Sequence, residues 1–477
     1  LLALAAGLAN AAGMGAEEAR HLLNRTGFDA RLGEIESYAL LSRREAIERV
    51  LGGARQAPRT PAPEAVRRWE DPRRMRQMGE EERRAFQREL VERGLELKGW
   101  WLSEMLATDS PLTERMTLFW HNHFTSSLQK VRSPHLMYRQ NLLLRRHALG
   151  SFAELLHAAA KDPAMLVYLD GVSNRRGQPN ENFAREVMEL FTLGEGNYSE
   201  HDIKEAARAF TGWSLERETG EFLFRPMLHD DGVKTVLGRS GNLRGEELIG
   251  ILLDRPQTAR FVAGKLWREF VSPAPATERE KRELERAARL FRESGYSIRA
   301  VMRELLMSDA FWASANRAAL VKSPAELVAG TLRQFDVDIS DPLPFVLLMR
   351  QLGQDLFSPP NVRGWPGGEA WISSQTLLAR KQFAERLMRV DELRMTPAAL
   401  ERMADDPAKP MAKRVLRAML EVKFSARDWL RQFQGREMPA SAQLVLLAAA
   451  PAGEGANGAQ GADLVRALVS DPVYQLK

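Results

Sequence analysis

Between Arg115 and Trp213, polar residues able to do chemistry are set among large apolar ones. Burying such groups without a partner is costly, so each needs a reason to be there. Three clusters stand out: His121-Asn-His123, the carboxylates Glu186 and Glu189, and His229-Asp230-Asp231 just beyond. Cysteine is absent, so any metal must be held by His, Asp or Glu. His121, His123, Glu186, His229 and Asp230 are therefore candidate ligands of a divalent metal. Glu186 and Glu189 are the candidate catalytic pair, working as general acid and base or beside a metal in hydrolysis. Arg363, Trp365 and Trp371 combine a guanidinium with indoles and could bind a sugar or peptide by stacking.

Each cluster also has a structural reading. Residues two apart on a helix point roughly 200° apart, so His121 and His123 share an ion only if the helix ends near Asn122. His123 falls on one face with Leu112, Met116, Phe119 and Trp120, where a core histidine satisfied by one carbonyl or carboxylate would fit. Asn182, Glu186 and Glu189 form a stripe beside the apolar arc of Phe183, Val187, Leu190 and Phe191. Glu186 sits furthest into it and needs a cation, a histidine or several donors, with His121, His123 and Arg208 as candidates. Arg185 can pair with Glu189 on the rim. The same set could equally be an ion-pair network that locks two helices. The Asp231-Gly232 pair suits a turn, and Trp365 could pack beneath its loop.

The elements that must position these residues are helical. Ser110 and Pro111 suit the start of the histidine helix. Further helices are expected over Glu80–Met105, Pro134–Arg146 and Ser151–Ala160, and from Glu181. Ser199 with Asp202 resembles a capping box opening a helix from Glu200 to Thr211. Glu221–Arg225 and Lys234–Leu237 read as strands flanking the Asp-Gly turn, which predicts one β-hairpin near 221–237. The expected fold class is mainly α, a large multi-helix domain with that small hairpin.

The 477-residue chain is 44% apolar with a net charge of +5, enough for a large core and against wholesale disorder. Its basic residues are interspersed with acidic ones, including the Arg-rich 67–76 stretch, so no nucleic-acid partner is expected. Leu1–Ala11 reads either as the end of a signal peptide with an Ala-Asn-Ala cleavage pattern or as an Ala-rich helix. No other run is long enough to span a bilayer. The expected division is a signal remnant at 1–16, a main helical domain at 17–390 and a packed C-terminal helical segment at 391–477. A P-loop, a dinucleotide glycine fingerprint, Gly-x-Ser-x-Gly and His-Glu-x-x-His are all absent, which leaves the familiar cofactor and hydrolase classes unsupported.

Several motifs together resemble a bacterial family known as domain of unknown function 1800. They are His21–Phe28, Phe119–Phe124, Asn180–Glu186, Glu189–Gly194, Ala207–Trp213, His229-Asp230 with Lys234, and Pro359–Gly368. The resemblance implies a mostly helical, frequently exported protein, hence periplasmic or extracellular, with no settled activity and no catalytic residues to carry over. It also implies, as a partner, a sulfatase-like protein encoded alongside or an extracellular polymer. Two functions are therefore expected as alternatives. One is an exported protein with a polar, divalent-metal-competent site that hydrolyses a polymer or envelope component. The other is a non-catalytic binding or assembly protein whose buried polar residues are structural.

Overall fold

Helix starts organise the chain. In the computed structural model, which describes residues 13–70, 77–389 and 410–477, side chains cap one helix after another. Ser42, Ser199, Thr277 and Ser323 each accept from the backbone three residues on, while Glu45, Asp202, Glu280 and Glu326 reach back. These capping boxes satisfy donors that a helix N-terminus otherwise leaves bare. The Leu1–Ala11 run and residues 71–76 of the Arg-rich stretch lie outside the described residues, as do residues 390–409.

The helices that position the site are α1 (Ala16–Thr26), α2 (Glu80–Ala107), α3 (Pro111–His123), α4 (Pro134–Arg146), α5 (Glu181–Glu186), α6 (Glu200–Ala209), α7 (Pro256–Phe270) and α8 (Pro324–Gln334). Pro111 occupies the first turn of α3, where its missing N–H costs nothing. Only Pro111 and Asn122 of α3 escape burial, so the helix is enclosed on all sides rather than along one stripe. Its charged side chains must then be paired inside the protein. Glu114 accepts two hydrogen bonds from Arg145 of α4, both 2.7 Å, and a third from the Trp101 indole at 3.1 Å. Arg115 meets Glu269 of α7 at 2.5 Å and Glu326 of α8 at 2.6 Å. Desolvation pushes the Glu326 carboxyl up, but Arg115 and Lys477 outweigh it and hold it low.

The protein is mainly α, with small antiparallel strands, two of them within the expected 221–225 and 234–237. The strand partners differ from expectation. Strand β1 (Trp213–Leu215) pairs with β2 (Phe222–Phe224), and β3 (Lys234–Val236) pairs with β4 (Arg239–Gly241). Two hairpins therefore replace the single one across 221–237. The second closes on Leu237 and Gly238, with φ of 49° and 78°, a two-residue turn with both φ values positive that matches strand twist. Asp230 and Gly232 instead make a local Asx turn, Gly232 N–H donating to Asp230 Oδ1 at 2.9 Å.

Residues after 410 pack against the earlier helices. Arg20 of α1 donates to the carbonyls of Leu444 at 3.0 Å and Ala448 at 2.9 Å, and Tyr474 bonds Thr331 of α8 at 2.8 Å. The buried apolar side chains form one cluster running from Ala19 to Tyr474. Among the described residues, no helix is long and apolar enough to cross a membrane.

Candidate functional site

Helix α5 does not continue as an α-helix past Glu186. Residues Val187–Thr192 form a π-helical segment, and Leu193 N–H reaches Met188 five residues back at 2.8 Å. The Thr192 hydroxyl donates to the Val187 carbonyl at 2.7 Å and so supports the wider turn. Such segments cost hydrogen-bond geometry and occur frequently at functional sites. Here the segment joins the two candidate catalytic carboxylates.

Those carboxylates have unlike surroundings. Glu189 is anchored, with Arg363 at 3.0 Å from one oxygen and the Tyr198 hydroxyl donating to the other at 2.5 Å. Burial first, and then Glu189, push the Tyr198 phenol well above its usual range, so it stays a donor. Glu186 is half-buried and has neither a hydrogen bond nor an ion pair among the described residues. Burial and then the Glu189 charge raise its carboxyl above the ordinary value, against the pull of Arg363 and Arg185. The pairings expected for Glu186 and Glu189 go elsewhere. Arg185 binds Glu200 at 2.8 Å and Glu181 at 3.3 Å, while Arg208 binds Asp230 and Glu205. Glu186 is thus open rather than sealed against an arginine.

The histidines do not meet. His121 is fully buried and faces Trp101, Phe357 and Trp365, with ring centroids 5.4–5.6 Å away. Neither of its ring nitrogens has a hydrogen-bond partner among the described residues, and burial pushes the imidazole down to about 3. His123, also buried, approaches the Phe191 carbonyl through Nε2 at 3.1 Å. A carbonyl only accepts, so Nε2 carries the proton and Nδ1 accepts from Lys265 at 3.1 Å. Lys265 also donates to Leu190 O at 3.2 Å, so two side chains cap carbonyls at the end of the π-segment.

His229 and Asp230 belong to a different contact. His229 Nδ1 donates to Thr211 O at 2.9 Å, and Arg208 grips Asp230 at 2.8 and 3.0 Å. That grip holds the Asp230 carboxyl down at about 2. Glu205 and Asp202 of α6 capture the N–H groups of Thr235 at 3.0 Å and Leu237 at 2.6 Å, so this region ties the second hairpin to α6. Among the described residues, no three His, Asp or Glu side chains converge as metal ligands. The set His121, His123, Glu186, His229 and Asp230 is therefore not brought together.

The loop bearing Arg363 packs its indoles inward, the packing alternative for Trp365. Trp365 and Trp371 are buried, 3% and 5% exposed, so they are packing residues and cannot stack on a ligand. Arg363 alone stays exposed, 66% for its side chain. Its position depends on Asn122, whose side-chain oxygen accepts from Trp365 N–H at 2.7 Å. Gly364 lies against Asn122 with φ +84°, and a Cβ there would stand 2.1 Å from Asn122 Oδ1 and 2.7 Å from its carbonyl. Gly364→Ala is expected to displace the loop, release Arg363 from Glu189 and cost about 1–3 kcal/mol. Denaturant unfolding measures this; an unchanged midpoint would remove Gly364 from the account.

Taken together, the motifs around these residues are the ones that span the chain from His21 to the C-terminal helices, and a family match covers residues 21–476 under the description "Protein of unknown function (DUF1800)". The chain belongs to the DUF1800 family. No curated protein and no solved structure matches it. For this DUF1800 protein the residues missed from sequence are Tyr198, Asn122 and Lys265. Lys265 had a signal: it follows Val262 by three on α7 and so borders the apolar arc that includes Thr258, Val262 and Leu266.

Proposed function

We propose that the protein is an exported hydrolase acting by acid–base catalysis on a polymer or envelope component. Glu186 is its proton donor and Glu189 its anchored carboxylate. The observation that carries this reading is the contrast between Glu186, which closes α5, and Glu189 within the π-segment that follows. A carboxyl raised by burial and a neighbouring like charge is suited to the acid role beside an anchored carboxylate. Export rests on the family resemblance. A divalent ion would find Glu186 available, but Glu189 only by giving up Arg363 or Tyr198. His123 and Asp230 are already engaged, while His229 is held through Nδ1 and its buried Nε2 has no partner among the described residues. The acid–base reading asks for no such exchange.

A binding or assembly role, with a sulfatase-like protein as partner, is the second reading. The exposure of Met227 at 85% and Val233 at 69% beside the Asp230 turn favours it. The deciding experiment incubates the protein with glycan, peptidoglycan and ester-bearing envelope fractions and follows release of soluble product. Release that is lost in Glu186→Gln supports the hydrolase. Release that is unaffected, or absent from every fraction, supports the second reading.

A further inference from the structure

Enclosed lysines in this fold mostly meet a carboxylate, but Lys234 and Lys265 do not; Lys234 Nζ donates to Gly232 O at 3.0 Å and Asn242 Oδ1 at 3.2 Å. Lys98 has Asp355 at 2.5 Å and Lys322 has Asp29 at 2.8 Å. Lys265, on α7, has only neutral partners: His123 Nδ1 at 3.1 Å, Leu190 O at 3.2 Å and the Phe261 ring at 5.0 Å. No carboxylate lies within ion-pair distance of it among the described residues. The charged or titratable groups facing it are His123 on α3 and Arg268 on its own helix. Lys265 as a residue keeps a partly exposed surface.

We propose that Lys265 is a nucleophilic amine that takes an aldehyde or ketone as an imine at the C-terminal end of the π-segment. An ammonium held there lacks a counter-charge, which favours the neutral, nucleophilic form. Burial, and then the Arg268 charge, lower the amine to about 7. His123 is the positioning residue: its Nε2 proton is fixed by Phe191 O, which leaves Nδ1 to orient the amine. In the reaction the nitrogen bonds to the carbonyl carbon and the C=O bond breaks. The oxygen leaves as water with two hydrogens from the nitrogen, and nothing is oxidised or reduced. The inference is independent of the role given to Glu186.

The test is reductive alkylation of the full chain with propionaldehyde and cyanoborohydride, followed by peptide mapping at a series of pH values. Lys265 is expected to label at least about tenfold faster than the median lysine at pH 7. Its rate should level off just above neutrality while the other lysines continue to gain. His123→Asn should shift that levelling point, which a purely structural lysine would not show. If Lys265→Arg fails to fold, the wild-type pH profile still decides. Labelling of Lys265 no faster than that of exposed lysines, or a rate still climbing with theirs, would overturn the proposal.

Discussion

Glu114→Ala is expected to destabilise the protein by about 3–5 kcal/mol, the range for breaking a buried ion pair from one side. The substitution leaves the Arg145 guanidinium, fully buried, with Asn141 Oδ1 at 2.5 Å and the Trp100 face, but no carboxylate. Removing both charges is a different matter. Glu114→Leu combined with Arg145→Met should recover most of the loss, because the desolvation cost of each ion disappears with it. Urea unfolding of the two single variants and the double variant gives the coupling directly. A loss below about 1 kcal/mol in Glu114→Ala would mean that α3 is not held as described.

The second large effect concerns Glu186. Glu186→Gln is expected to lower the hydrolytic rate by about 10²–10⁴-fold, the usual contribution of a positioned general acid. In the wild type the rate should fall as pH rises through the Glu186 carboxyl's raised value, because the donor must hold its proton. The stability contribution should move the same way with pH. A carboxyl whose folded value lies above its unfolded one contributes stability fully present below the unfolded value. That contribution is lost as pH rises through the folded value. At neutral pH the ionised Glu186 is half-buried beside Glu189, so the neutral amide should raise the melting temperature there and leave it little changed near pH 4. A structural ion-pair network predicts the reverse, a melting temperature lowered by the substitution. Thermal melts at the two pH values separate the readings without any substrate.

Much of the fold was legible because local chemistry and global packing agree. The capping pair Ser199 and Asp202 opens α6 where expected, and α4 runs from Pro134 to Arg146 as expected. The pairing of strands was not legible. Asp231-Gly232 looked like the hairpin turn, yet Arg208 holds Asp230, and the turn that closes β3 on β4 uses Leu237-Gly238, a pair with a weak sequence signature. The site was legible in part. Glu186 and Glu189 were found from their place on an apolar arc. The π-segment left no trace in apolar spacing, because one extra residue in a turn shifts a stripe by less than side-chain width can reveal. His121 and Trp365 kept two readings each for a common reason: spacing tells which face a residue shares, not how many neighbours enclose that face. Burial of α3 from every side is a tertiary effect that no single helix records.

Glu186 stands unpaired among the described residues and holds its proton more tightly than an ordinary glutamate. Carboxyl ¹³C NMR titration of the full chain, with the resonance assigned by its absence in Glu186→Gln, tests this most directly. The midpoint is expected above the ordinary 4.5 and should move down in Glu189→Gln, where the neighbouring charge is gone. A midpoint at or below 4.5, unmoved by Glu189→Gln, would contradict it.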